Sequence, residues 1–260
     1  MSLARQTVRV LEADRELSLR ITPEQLNEAR RRLVAPVRCL SPGICEVPDD
    51  DLHGHLGYLI LDGLVAHDLV LAGNISTELL GEGDVIEPSP RAGDEMLVHY
   101  RVFWHVLSPV RLAILDGAFA RALVQWPQVM ATLLERAGRR TLRMEVHQAL
   151  LQLSPVETRL LVLFWHLAER WGRVTRQGIV LPLALTHQVL GQLVGCRRAS
   201  VTTALKALTH SRVVIRTGDG SWLLRGDPPD ELSRLRWDHV EPQLVRSSQV
   251  RGPGSISPVS

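Results

Sequence analysis

LTHQVLGQLVGCRRASVTTALKAL, residues 185–208, is the stretch on which the reading of this chain turns. Two short amphipathic segments flank Gly195 and Cys196. In the first, Val189, Leu190, Leu193 and Val194 share one helical face behind Thr186, whose hydroxyl can accept a free amide at a helix start. Gly195 supplies a stop. In the second, Val201, Leu205 and Leu208 recur at i, i+4 and i+7, so that face must pack on the first helix. The opposite face carries Ala199, Thr202, Thr203 and Lys206, with Arg197 and Arg198 at the leading turn. Small, hydroxylated and cationic side chains in this arrangement suit the major groove of double-stranded DNA. An arginine there can offer two donors to a guanine edge, and a helix start attracts a phosphate. A glycine turn between two such helices is the sign of a helix-turn-helix. VVIRTG and SWLLRG, meeting around Asp219 and Gly220, read as a β-hairpin wing.

Working outward toward the N-terminus, VTRQGIVLPLAL reads as extended, and Gly172 ends the helix before it. That helix, RLLVLFWHLAERW, is apolar on most faces and therefore a core element. Ser154-Pro155-Val156-Glu157 before it has the form of a capping box. From Pro127 to Leu153 apolar or small residues recur in steps of three and four, placing Met130, Leu134, Ala137, Thr141, Met144 and Leu151 on one stripe interrupted by Gln148. A stripe about 40 Å long at 1.5 Å per residue predicts a dimer seam, the alternative being a helix packed only on its own domain.

Between Val34 and Leu115 the pattern changes to short runs such as LGYLILDG, AHDLVLAGN and MLVHYRVFWHV, punctuated by Gly, Asp, Asn and Pro. This predicts a compact antiparallel β-barrel or roll, with tight turns at Asp62-Gly63 and Gly73-Asn74. A helix start at Thr22-Pro23-Glu24-Gln25 precedes it and predicts a short helix to about Leu33. The fold class that follows is α+β. The predicted domains are an N-terminal β-roll over 1–125, a long connecting helix over 126–153, a winged helix-turn-helix over 154–226 and a polar, loosely ordered tail over 227–260, with a short helix around 231–237.

Composition narrows the function classes. The chain has 260 residues and a net charge of +2, but the sum conceals a separation. Residues 41–100 hold twelve acidic side chains against Arg91 alone, while residues 186–225 hold six basic ones against Asp219 alone. The C-terminal third is thus the part suited to a polyanion. No run approaches about 18 apolar residues and the N-terminus lacks an apolar leader core, so a cytoplasmic location and no membrane partner are expected. Cys39, Cys45 and Cys196 are too scattered for a disulfide framework. Walker, Gly-x-Ser-x-Gly and His-Glu-x-x-His motifs are missing, so an enzyme is not the expected class.

LTHQVLGQLVGCRRASVTTALKALTHSRVV resembles the DNA-binding domain of the Crp/Fnr family of bacterial transcription regulators. The order of β-roll, long helix, capped helix and winged helix-turn-helix agrees, and the resemblance spans about residues 56–225, weakly over the roll. It implies a homodimer on a palindromic DNA operator, with RNA polymerase as a candidate second partner. Among the implied DNA-binding residues, Thr186, Arg197, Arg198, Ala199, Ser200, Thr202, Thr203 and Lys206, the resemblance makes Arg198 the base reader and Ser200 a phosphate contact. Ala199 and Thr203 stand where relatives often place Glu and Arg, which puts the familiar target sequence in doubt.

Cyclic-nucleotide-binding members carry a Gly-Glu pair after the GD(V/F)I turn and an Arg-Ser or Arg-Thr pair further on. Here GDVI leads into Glu87-Pro88-Ser89-Pro90, and the later position reads Tyr100-Arg101. No cyclic AMP response and no cofactor are therefore expected. Cys39, Cys45, His53 and His55 are zinc-type ligands without a zinc spacing, Asp49-Asp50-Asp51 reads as a solvated loop, and His105 reads as a half-buried, satisfied side chain. A different class of function, a winged helix packing on a protein partner, is disfavoured by the +5 charge of residues 186–225.

Overall fold

The computed structural model describes residues 6–46, 54–87 and 98–229. The chain opens with β1 (Thr7–Arg9), α1 (Val10–Ala13), a 3-10 turn (Arg15–Ser18) and α2 (Pro23–Arg32). Six strands follow: β2 (Val34–Leu40), β3 (Gly43–Glu46), β4 (Gly57–Leu71), β5 (Asn74–Gly81), β6 (Val85–Ile86) and β7 (Arg101–Leu115). Next come α3 (Gly117–Leu123), α4 (Pro127–Leu151), α5 (Val156–Trp171), β8 (Arg173–Thr175) and β9 (Gly178–Leu181). The C-terminal elements are α6 (His187–Leu193), α7 (Arg198–His210), β10 (Val214–Arg216) and β11 (Trp222–Leu224). One compact unit closes at Gly226. The tail helix expected around 231–237 and the Asp49–Asp51 loop lie outside the described residues, as do His53 and positions 88–97.

The first seven strands form an antiparallel sheet in the order β1-β2-β7-β4-β5, with β3 added on β7 and β6 on β4. Alternation along the two long strands explains why LGYLILDG reads as unbroken apolar sequence. Leu59, Leu61, Ala113 and Leu115 face the core built with α1, α2, α3 and the start of α4, whereas Tyr58, Ile60, Leu112 and Ile114 face the interior of the roll. Both faces of this part of the sheet are buried, so a period of two leaves no polar side.

The tight turn expected at Gly73-Asn74 falls one residue earlier, at Ala72-Gly73: both have positive φ, and Leu71 pairs with Asn74 across them. Asp62-Gly63 makes no such turn. It lies inside β4, where the register to β7 shifts between Ile60 and Asp62 and again before Val65. This is a β-bulge, and Gly63 is needed because its φ is +95° and a Cβ would run into the Pro109 carbonyl. Both predicted capping boxes also differ. Thr22 occupies the N-cap of α2, but its side chain makes no capping hydrogen bond. At α5 the N-cap is Pro155, so Ser154 lies one residue too early for its hydroxyl to reach the free amides.

α4 buries one flank, through Val129, Thr132, Leu133, Arg136 and Leu150. The stripe predicted as a seam divides: Met130 packs against the core, whereas Leu134 and Met144 are exposed at 65% and 43%. The acids of the roll meet the arginines of α4 and α5. Arg140 Nη2 is 2.8 Å from Glu78 Oε2, and Asp84 accepts from both Arg143 and Arg170 at 2.6 Å. Nearer the N-terminus, Arg136 pairs with Asp14 and Glu16. His105 is half-buried, and Cys39 and Cys45 carry free thiols. Among the described residues no cluster of His, Cys, Asp or Glu could hold a metal ion, and no helix is long and apolar enough to cross a membrane.

Candidate nucleic-acid interface

α5, α6 and α7 pack beside a four-stranded sheet in the order β10-β11-β9-β8. Its core includes Phe164 against Trp222, with ring centroids 4.9 Å apart. Thr186 accepts the Val189 amide at 3.2 Å and so starts α6. Gly195, at φ +63°, turns the chain, and the Cys196 amide closes onto the Gly191 carbonyl at 2.9 Å. A Cβ on Gly191 would crowd the Cys196 carbonyl at 2.7 Å, so the tight approach of the two helices requires glycine there.

Val189, Leu190, Leu193 and Val194 of the first helix meet Val201, Leu205 and Leu208 of the second, all buried. That ridge leaves Arg197, Arg198, Ala199, Ser200, Thr203 and Lys206 exposed, and Thr202 half-buried. Arg197 is the N-cap of α7 and Arg198 its first residue, so both guanidinium groups start where the helix presents its free amides. The threonine hydroxyls are less free than their exposure suggests. Thr202 donates to the Arg198 carbonyl at 3.0 Å and Thr203 to the Ala199 carbonyl at 3.3 Å.

Three side chains that sequence reading passed over help to shape this face. Arg159 on α5 donates to the Leu153 carbonyl at 2.8 and 3.0 Å and to the Val194 carbonyl at 2.7 Å, tying the α5 start to the end of α6. His187 Nδ1 lies 3.0 Å from Thr202 Oγ1. Arg216, at the end of β10, stacks over Trp222 at 5.5 Å, which fixes a cation beside the hairpin. At the hairpin tip, hydrogen bonds from Ser221 and Thr217 hold the Asp219 carboxyl down at about 2, so the turn is closed by its own acid. Burial pushes the Cys196 thiol up, keeping it protonated beside the turn.

The family model for the Crp-like helix-turn-helix domain matches residues 158–227. This part of the chain is a Crp-like helix-turn-helix domain. Over 59 residues the chain is 34% identical to the putative HTH-type transcriptional regulator ycf28 of Porphyra purpurea; that match covers 23% of this chain and only 25% of that protein. The fold of most of the chain is also found in solved structures. A CooA mutant from Carboxydothermus hydrogenoformans superposes with a TM-score of 0.60 at 20% identity, over 77% of this chain and 87% of that one. FixK2 from Bradyrhizobium japonicum gives 0.58 at 17%, over 77% and 96%. A CRP-family transcriptional regulator from Thermus thermophilus gives 0.53 at 20%, over 72% and 91%. The chain thus shares the fold of these structures over about three quarters of its length.

Proposed function

We propose that the chain is a sequence-specific DNA-binding transcriptional regulator that grips a palindromic operator as a homodimer, with α7 in the major groove. The observation that carries this reading is the exposed face of α7, cationic at its leading end and anchored from behind by Val201, Leu205 and Leu208. Thr186, Arg197, Arg198, Ala199, Ser200, Thr202, Thr203 and Lys206 are the proposed contacts. Arg198 is the proposed base reader and Ser200 a phosphate contact. Domain limits of 1–125, 126–153, 154–226 and 227–260 go with this reading, and RNA polymerase is its candidate protein partner.

The exposed stripe on α4 supports the dimer. Leu134 and Met144 would leave water on meeting a second copy, and two recognition helices would then face successive major grooves about one helical turn apart. Leu134→Asp is expected to shift the protein toward monomer in sedimentation at concentrations where the parent is dimeric. A dimer of unchanged affinity would place the seam elsewhere.

A regulator indifferent to cyclic AMP is the further part of the proposal. Between the roll and α4 lies a cavity of about 340 Å³, lined by Leu56, Val85, Leu115, Met130 and Arg140. Arg140 already donates to both oxygens of Glu78 and to the Val85 carbonyl, so a cyclic phosphate would have to displace a carboxylate from it. Titrating duplex DNA against the protein at several salt concentrations tests the reading as a whole. Affinity is expected to fall linearly in log–log coordinates as phosphate contacts release counterions, and added cyclic AMP should leave the curves superimposed. Affinity independent of salt would instead favour a winged helix that docks on protein.

A further inference from the structure

His187 is the first residue of α6, half-buried against α7 and facing the charges that flank the recognition helix. Its hydrogen-bond geometry admits a tautomer with the hydrogen on Nδ1. Thr202 has one hydroxyl proton, and that proton goes to the Arg198 carbonyl at 3.0 Å. With that proton on the carbonyl, Thr202 Oγ1 accepts from the ring, and His187 Nδ1, 3.0 Å away, carries the hydrogen. In the neutral ring the remaining nitrogen, Nε2, is then a bare lone pair, and among the described residues nothing donates to it.

A phosphodiester is an acceptor only. Against the neutral ring, a backbone phosphate would meet lone pair with lone pair, whereas against the imidazolium it gains a charge-assisted hydrogen bond. We propose that the neutral His187 ring carries its hydrogen on Nδ1 and that His187 is a proton-linked positioning and contact residue: it takes up one proton from solvent when a DNA phosphate docks beside α7, while its Nδ1–H stays on Thr202. This inference rests on the DNA-binding reading and adds a chemical step to it.

The charges around the ring favour such a linkage. Burial, then the positive charges of Arg216 on β10 and Arg198 on α7, hold its pKa below that of an ordinary imidazole. No acid is among the groups that shift it. A docking phosphate supplies the missing negative charge and also neutralises the two guanidinium groups, so the pKa rises on binding. The sign follows: the bound form holds more protons than the free form. Affinity therefore increases as pH falls through the pKa of the complex, and levels off below the pKa of the free protein.

The test measures binding of the full chain to short random-sequence duplex DNA at constant salt, from about pH 8 down to about pH 6. For each protomer engaged, the parent should gain affinity by up to about ten-fold per pH unit, the limit set by one proton. His187→Gln should lose this His187-linked gain. His187→Arg, a permanent cation, should bind at the upper pH about as well as the parent does at the lower one. Thr202→Val frees the tautomer, so a neutral ring can donate from Nε2, and the pH dependence should shrink although the histidine is retained. Equal slopes for parent and His187→Gln would overturn the inference while leaving DNA binding intact, and so would a Thr202→Val protein with the full slope. No binding at any pH would overturn the DNA reading, and the inference with it.

Discussion

Arg198→Ala is expected to weaken binding to the selected operator by about 1–3 kcal/mol and to relax preference at one base position, while Arg197→Ala weakens all duplexes by a similar factor. The two residues are adjacent, exposed and of identical chemistry, so charge alone cannot separate them. What separates them is backbone. Arg198 is the first helical residue of α7, and its carbonyl is held by the Thr202 hydroxyl. Arg197 is the N-cap, with φ −72° and ψ 148°, and so belongs to the extended turn entering α7 rather than to the helix. A guanidinium launched from the first turn can lay both donors along a guanine edge; one launched from the cap is better placed for the phosphate backbone. Selection of bound sequences from a random pool, followed by titration of the winner and a scrambled duplex, measures both quantities. Full affinity and selectivity in Arg198→Ala would mean that another face of the domain reads the DNA.

The same residues show what a sequence can disclose. The helix-turn-helix was legible because its signal is local: a capping threonine, a glycine turn and an i, i+4, i+7 ridge all lie within two dozen residues. The roll was legible in outline, since strand runs and turn residues are also local, but Asp62-Gly63 has the same dipeptide signature in a bulge as in a hairpin. Only the register against β7 tells the two apart. Ser154-Pro155-Val156-Glu157 misled for a related reason, because the helix starts one residue later than the motif suggests. His187 was passed over altogether. Its meaning depends on a hydrogen bond to Thr202, fifteen positions away, and on Arg216 in the hairpin, a conjunction that no spacing rule encodes. The acidic bias of residues 41–100 was visible, but its use was not: Glu78 and Asp84 are matched by arginines that α4 and α5 bring from more than fifty residues away.

Asp84→Asn is expected to destabilise the protein by about 3 kcal/mol, with an unchanged denaturant slope and a lower midpoint. The carboxylate is only 5% exposed and has three donors: Arg143 and Arg170 at 2.6 Å, and the Gly81 amide at 2.9 Å. An amide of the same shape keeps one acceptor and turns an N–H₂ toward a guanidinium, so one arginine is left facing a donor in a partly desolvated site. Arg143 is the more dependent of the two, since burial pulls its pKa down and Asp84 is the main opposing influence. Arg170 has other support: it donates to the Glu82 carbonyl at 2.8 Å and stacks on Trp171 at 4.7 Å. The guanidinium groups are 30% and 21% exposed, so water recovers part of the loss, and the cost belongs at the low end of the range for a broken buried pair. Because Trp171 also lies against Gly81, its fluorescence should report the loosening of the roll from α5 directly. A change in stability within about 0.5 kcal/mol of zero would show that the arginines find other partners, and that Asp84 is not what fastens the Crp-like domain to the roll.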